Sequence, residues 1–257
     1  MREVHSTAIV SPKAELGENV VVGPYAIIED NVQVGDGTNV GSTVQLAPGA
    51  VIGKNVKIFH SAVIGTVPQD LKFGGEKTKA IIGDNTVVRE FATVNRGTVA
   101  HGETTVGQNC MLMAYSHVAH DCIIGDNVIL ANSVNLAGHC EIGDYAILGG
   151  LLPVHQFVKI GAHAMIGGGF RVQQDICPYS LVAGYPLRMV GLNAIGLRRR
   201  GFKREVIQKL EAAFKLLFFS ELNTSQAVER IKAEVEAISE VQVILDFIEK
   251  SNRGMIK

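Results

Sequence analysis

The sequence has no surplus of charge, no closely spaced cysteine pair and no long apolar run, and each absence removes a class of protein. Its 257 residues carry 24 Lys and Arg against 25 Asp and Glu, a formal net charge of −1. No global attraction therefore draws the chain to nucleic acid or to an anionic membrane surface, and any basic site has to be local. The four cysteines, Cys110, Cys122, Cys140 and Cys177, lack CxxC spacing, which argues against a zinc knuckle or a redox pair. No stretch approaches the roughly 18 apolar residues of a membrane span. The opening Met1-Arg2-Glu3-Val4-His5-Ser6 also lacks the apolar centre of a signal peptide, so a cytoplasmic protein without a membrane span is expected. With 47% hydrophobic and 19% charged residues, the chain is globular and can fill a large core.

What the sequence does contain is a strict period of six. Positions 4, 10, 16 and onward to 172 form 29 sites, of which 26 are Val, Ile or Leu, the exceptions being Asp70, Glu76 and Ala100. Six residues match neither a helical turn nor simple strand alternation, so each unit is a short strand plus a corner, and the chain is a solenoid. Turn formers follow the aliphatic sites, as in Leu16-Gly17-Glu18-Asn19 and Ile124-Gly125-Asp126-Asn127, where a corner demands positive φ. Small residues stand four places after each aliphatic site, Cys110, Cys122 and Cys140 among them. Large and small inward sites then alternate in a narrow tube, and those cysteines are packing residues.

A period of 18 lies above the period of six. Corner glycines recur at 17, 35 and 53 and again at 107, 125, 143 and 161, so three hexads complete one triangular coil. The spacing stretches between Gly53 and Gly83 and between Gly83 and Gly107, which predicts projecting loops near residues 66–79 and 95–102. The expected fold is mainly β: a parallel β-helix over residues 1–184, then a small α-helical domain over 185–257 that covers the last open coil. Three helices are expected in that tail. One runs from Gly201 toward Phe219, a second is capped by Thr224 or Ser225 and extends through Ile238, and a third opens at a Ser239-to-Gln242 capping box.

Stacked coils bring residues 18 apart to about 4.8 Å separation. His117, His120, Asp121, Asn135, His139, His155 and Gln156 then share one outer vertex over three rungs. Any one of them alone reads as an ordinary surface residue. Together they resemble a proton-transfer site, with Gly138 leaving open space beside His120. His5, His60, His101 and His163 fall outside the cluster and carry no assigned role. A second outward column, Met111, Ile129, Ile147 and Met165, is apolar, which predicts a cyclic homo-oligomer.

Several segments resemble one family closely. They are His117-Val118-Ala119-His120-Asp121-Cys122, Leu136-Ala137-Gly138-His139, Val154-His155-Gln156-Phe157, Gln69-Asp70-Leu71-Lys72 and Gly196-Leu197-Arg198-Arg199-Arg200-Gly201-Phe202. Together they are similar to the UDP-N-acetylglucosamine O-acyltransferases, which open lipid A synthesis. The resemblance implies a left-handed β-helix, where ordinary crossovers alone suggest the opposite hand. It implies a homotrimer that takes a 3-hydroxyacyl chain from acyl carrier protein to the 3-hydroxyl of a UDP-sugar, with neither metal nor cofactor. By the same resemblance His120 is the general base, Asp121 orients it, and an amide near Gly138 is the oxyanion donor. Gln69, Asp70, Lys72, His117, His139, His155 and Gln156 match residues that hold the substrate; Asn193, Arg199 and Arg200 match groups that bind the nucleotide diphosphate. Gly168 matches the position that limits acyl length. Ile195 stands where a Glu is expected, and residues 183–187 depart from the usual segment, so nucleotide and acyl-tail contacts differ there. Three rivals share the scaffold: an acyltransferase with an amine acceptor, a γ-type carbonic anhydrase holding zinc through His117, His120 and His139, and a solenoid without catalysis.

Overall fold

The computed structural model describes residues 2–257. They form a left-handed parallel β-helix followed by a helical tail. Three faces wind along one axis. Face one holds 11 strands from Glu3–Val4 to Arg188–Leu192, face two holds 8 from Ile9–Val10 to Pro153–Val154, and face three holds 8 from Glu15–Leu16 to Lys159–Ile160. Most strands are two residues long because the chain must turn after every hexad. Each N–H on a face donates to a carbonyl one coil ahead, as from His117 to Val134 at 2.8 Å. The register follows the period of 18: Val118 lies opposite Leu136, and Leu136 opposite Val154. Those three side chains are buried, as are Cys122, Cys140 and Val158.

Positive φ falls on the residue two after the corner glycine, for example Asn55 and Asn127, rather than on the glycine itself. The glycine serves a different purpose. A Cβ on Gly35 would stand 2.6 Å from the carbonyl carbon of Gly53 in the next coil, so only hydrogen fits between rungs. Asp36, Asp84, Asp126 and Asp144 tie these corners together, each accepting a backbone N–H from the coil before.

The two insertions occupy residues 67–78 and 96–102, between the strands Val63–Thr66 and Lys79–Ile82 and between Thr93–Asn95 and Glu103–Val106. Asp70, Glu76 and Ala100, the three breaks in the aliphatic register, lie inside them. Strand pairing absorbs both insertions, with Ile64 opposite Val94 and Val94 opposite Val118. Both loops leave the helix at the corner between faces two and three.

The strand ladder runs past residue 184. Ser180–Ala183 pairs parallel to Met165–Ile166, and Arg188–Leu192 then adds antiparallel. This last strand escapes a hexad reading because it alternates; Met189 is buried between exposed Arg188 and Val190. Four helices follow. Helix α1, Ala194–Arg199, was not expected, being only six residues long. Helix α2 spans Arg204–Phe218 and buries Ile207, Leu210, Ala213, Phe214 and Leu217. Helix α3 spans Thr224–Glu234, stops short of Ile238, and is capped by Asn223 through a capping box with Gln226 rather than by Thr224 or Ser225. Asn223 wins because its carbonyl group reaches the Gln226 N–H while Gln226 answers to the Asn223 N–H. Helix α4, Ser239–Lys250, begins where expected but without a side-chain cap, since the Ser239 hydroxyl turns to the Glu240 carboxylate.

An aromatic stack docks this tail on the coils. Tyr145, His163 and Tyr179 stack in sequence, and Phe202 meets His163 edge-on at 5.0 Å. Arg200 lies over Tyr145 and reaches His163 Nδ1 at 3.3 Å. Burial, with help from the Arg200 charge and against Asp144, pushes the His163 imidazole down to about 4. The unfolded chain therefore binds a proton below about pH 6.5 that the folded chain refuses until near 4. By linkage, stability conferred by this docking falls as pH drops through that window. Unfolding midpoints compared at pH 7 and pH 5 should show this loss, and His163→Gln should flatten it; an equal slope in the variant contradicts the assignment. Inward and outward positions are separated by a second comparison. Leu136→Ala should cost about 2–5 kcal/mol by cavity formation, whereas Ile123→Ala, on the exposed side of face three, should stay within about 1 kcal/mol.

Candidate active site

The corner between faces two and three carries the site. His120 and Asp121 follow the strand His117–Val118, Gly138 and His139 follow Asn135–Leu136 one coil on, and Gln156 and Phe157 follow Pro153–Val154 after that. Asp121, His139 and Phe157 take up the positive-φ position in successive rungs, with φ of 59°, 62° and 64°. Their side chains are thus thrown the same way. His139 stacks on Phe157 with centroids 4.5 Å apart and meets His120 edge-on at 5.1 Å.

Asp121 is the centre of the arrangement and has no exposed side-chain surface. Its Oδ2 accepts from His120 Nδ1 at 2.7 Å. Thr98 donates twice, from its amide to Oδ1 at 2.9 Å and from its hydroxyl to Oδ2 at 2.7 Å, and the His101 amide donates to Oδ1 at 3.3 Å. Burial alone would raise this carboxyl, but the bonds from His120 and Thr98 outweigh it and hold Asp121 below the usual carboxylate range. An ionised carboxylate can only accept, so Nδ1 of His120 carries the proton and the Nε2 lone pair is left for a substrate.

Gly138 differs from the expected open space. A Cβ there would lie 2.6 Å from His120 Cε1 and 2.8 Å from Nε2. The His120 imidazole itself occupies the space that a side chain at residue 138 would need. His117 stands on face two, with Nδ1 2.7 Å from the Thr93 hydroxyl. Burial, then the neighbouring His120, lowers its pKa; burial lowers that of His139 too, against the pull of Asp121. His120, Asp121 and His139 offer atoms within 4.8 Å of one another. His117 is not in that group, so the three histidines of the zinc reading do not converge.

Other expected residues are distributed as follows. Asn135 is exposed on face two beside His117. His155 and Gln156 line a cavity of about 280 Å³ with Ala137, Pro153, Val154 and Arg171. Asp70 organises the first loop, accepting the Lys72 amide at 3.0 Å; Lys72 and Gln69 are exposed. Asn193, Arg199 and Arg200 lie elsewhere. The Asn193 side chain caps α1 and donates to the His163 carbonyl oxygen, placing this segment at the corner between faces three and one. Gly168 stands at the third corner, after Met165–Ile166, where a Cβ would come within 2.6 Å of the Gly150 carbonyl oxygen. Sequence reasoning missed Thr93, Thr98 and His101, all on or beside the second insertion. His101, which counting along the sequence leaves outside the cluster, has its ring edge-on to His139 at 5.6 Å.

Comparison with known proteins agrees with this geometry. Residues 13–47 and 103–138 match the bacterial transferase hexapeptide model, and residues 175–256 match domain 2 of UDP-N-acetylglucosamine O-acyltransferase. The chain is 54% identical to the acyl-[acyl-carrier-protein]--UDP-N-acetylglucosamine O-acyltransferase of Trichlorobacter lovleyi, covering 99% of both chains. It is 58% identical to that of Chlorobium phaeobacteroides over 99% of this chain and 97% of the relative. Its structure resembles the UDP-N-acetylglucosamine acyltransferase of Bacteroides fragilis with a TM-score of 0.97 at 44% identity, covering 99% of this chain and all of the other. The enzyme from Moraxella catarrhalis gives a TM-score of 0.96 at 38% identity, covering 99% of each. With the corner histidines, both loops and the helical tail accounted for, the chain belongs to the UDP-N-acetylglucosamine O-acyltransferase family.

Proposed function

We propose that this chain moves a 3-hydroxyacyl group from acyl carrier protein to the 3-hydroxyl of UDP-N-acetylglucosamine, with His120 as general base. The observation that carries the reading is the 2.7 Å bond between His120 Nδ1 and a fully buried Asp121 carboxylate. A sugar hydroxyl is a weak nucleophile until its proton leaves in the transition state. His120 Nε2 takes that proton as the sugar oxygen bonds to the thioester carbon. The C–S bond then breaks, and the proton passes to the carrier thiolate. Asp121 fixes the tautomer and stabilises the imidazolium. The Gly138 amide, which donates to no other group among the described residues, is the donor for the developing oxyanion. His117, His139, His155 and Gln156 frame the sugar and acyl ends, with Gln69, Asp70 and Lys72 approaching from the first loop.

The distribution of the remaining groups favours a homotrimer. Asn193, Arg199 and Arg200 sit at a corner other than that of His120, so they serve the same substrate most directly from a neighbouring subunit. Gly168 acts on acyl length by the same route. The half-buried column Met111, Ile129, Ile147 and Met165 on face one supplies an apolar surface for such packing. Exposed Arg198 and Arg199 suit a nucleotide diphosphate and the acidic surface of a carrier protein. Asn193 holds that helix in place through its cap and its bond to the His163 carbonyl oxygen. A cytoplasmic location is part of this proposal; among the described residues no helix is long and apolar enough to cross a membrane.

In an acyl-transfer assay with hydroxyacyl carrier protein, His120→Ala should lower kcat by at least about 10²; unchanged turnover removes His120 from the mechanism. Arg199→Ala should raise KM for the UDP-sugar with little change in kcat. If the site is shared between subunits, trimers co-assembled from His120→Ala and Arg199→Ala chains, assayed at UDP-sugar well below the raised KM, should exceed both parents, because some sites then pair an intact His120 with an intact Arg199. Failure of co-assembled trimers to exceed the better parent places all groups within one chain.

A further inference from the structure

We propose that Thr98, on the second inserted loop, is a positioning residue of the acyl-transfer reaction that locks the Asp121 carboxylate against His120. This rests on the reading of His120 and Asp121 as the proton-transfer pair. The loop is a single turn wound around that carboxylate. The Gly102 amide closes it onto the Thr98 carbonyl oxygen at 2.7 Å, and the amides of Thr98 and His101 point inward to Oδ1. The Thr98 hydroxyl has both of its functions fixed. It accepts from the Ala100 amide at 3.2 Å, so its one hydrogen is directed to Asp121 Oδ2 at 2.7 Å. That is the same oxygen that receives His120 Nδ1–H. Two donors on Oδ2 and two amides near Oδ1 leave the carboxylate no freedom to rotate about its own bond, and the imidazole inherits that fixed direction.

The neighbours of Thr98 show how the loop is delivered. A Cβ on Gly97 would lie 2.6 Å from the Glu103 carbonyl carbon, so glycine lets the loop descend onto the corner. Its amide bonds to the Lys79 carbonyl oxygen at 3.0 Å. Asn95 grips the root of the first loop through the Thr66 hydroxyl and the Val67 carbonyl oxygen. Arg96 lies over Phe73 at 5.4 Å, one residue beyond Lys72. The segment 95–98 thus holds the substrate loop with one end and the catalytic carboxylate with the other.

The test compares Thr98→Ala, Thr98→Val and Thr98→Ser in the intact enzyme, with melting temperature measured alongside. The valine variant keeps the side-chain volume and guards against a folding artefact. Loss of a hydrogen bond to a buried charged group should lower kcat at least about tenfold in the alanine and valine variants, with KM for the UDP-sugar within about twofold. Thr98→Ser should stay within about threefold of the parent, because it restores the hydroxyl. Added to Asp121→Asn, Thr98→Ala should cost less than about twofold more, since its partner is already altered. A serine variant as slow as the alanine one, or losses that multiply fully in the double variant, overturns the proposal. Normal turnover in Thr98→Ala and Thr98→Val also overturns it, provided Asp121→Asn is impaired. If Asp121→Asn itself turns over normally, the proton-transfer reading fails, and the proposal falls with it.

Discussion

Everything in this molecule depends on the hydrogen-bonded stacking of one 18-residue coil on the next. An N–H on each face must find a carbonyl oxygen one lap ahead, so the register cannot slip without exposing the whole aliphatic column or burying the polar corner. That constraint explains the glycines, which let adjacent rungs meet at backbone distance. It also explains the aspartates at the corner between faces three and one, which satisfy amides that a tight turn leaves unpaired. Side chains spread along a flexible chain would need considerable ordering entropy to converge. Here the scaffold has already fixed them.

The same register makes insertions productive. Both loops leave from the corner that bears the histidines, because a coil can accept extra residues at a corner without disturbing its three ladders. One insertion brings the Asp70 charge to bear on His139; the other wraps Asp121. The carboxylate is consequently buried, ionised and fully hydrogen-bonded, a combination that a bare β-helix corner cannot provide.

Much of this was legible in the sequence. The period of six gave the inward column from Val4 to Val172, and the gaps between Gly53, Gly83 and Gly107 located both loops to within a residue or two. Counting by 18 brought His120, Gly138 and Gln156 onto one corner. What escaped shares one cause: counting stops where the repeat is interrupted. Thr98 and His101 belong to the site but lie in an insertion. Gly138 reads as space from its letter alone, yet the imidazole of the preceding rung fills it. Arg199 and Arg200 share a family motif with the site, though one chain holds them at another corner. The tail followed local helix rules, and it departed from expectation where a neighbour offered a better cap, as Asn223 did over Thr224.

The central claim is that residues one lap apart build a single pocket in which an oriented imidazole meets a sugar hydroxyl. A crystal structure of the enzyme with its acylated UDP-sugar product tests this most directly. The account predicts the ester oxygen at the sugar 3-position within about 3.2 Å of His120 Nε2, with Asp121 still bonded to Nδ1. A sugar seated at another corner, with His120 turned away from its 3-position, would contradict it.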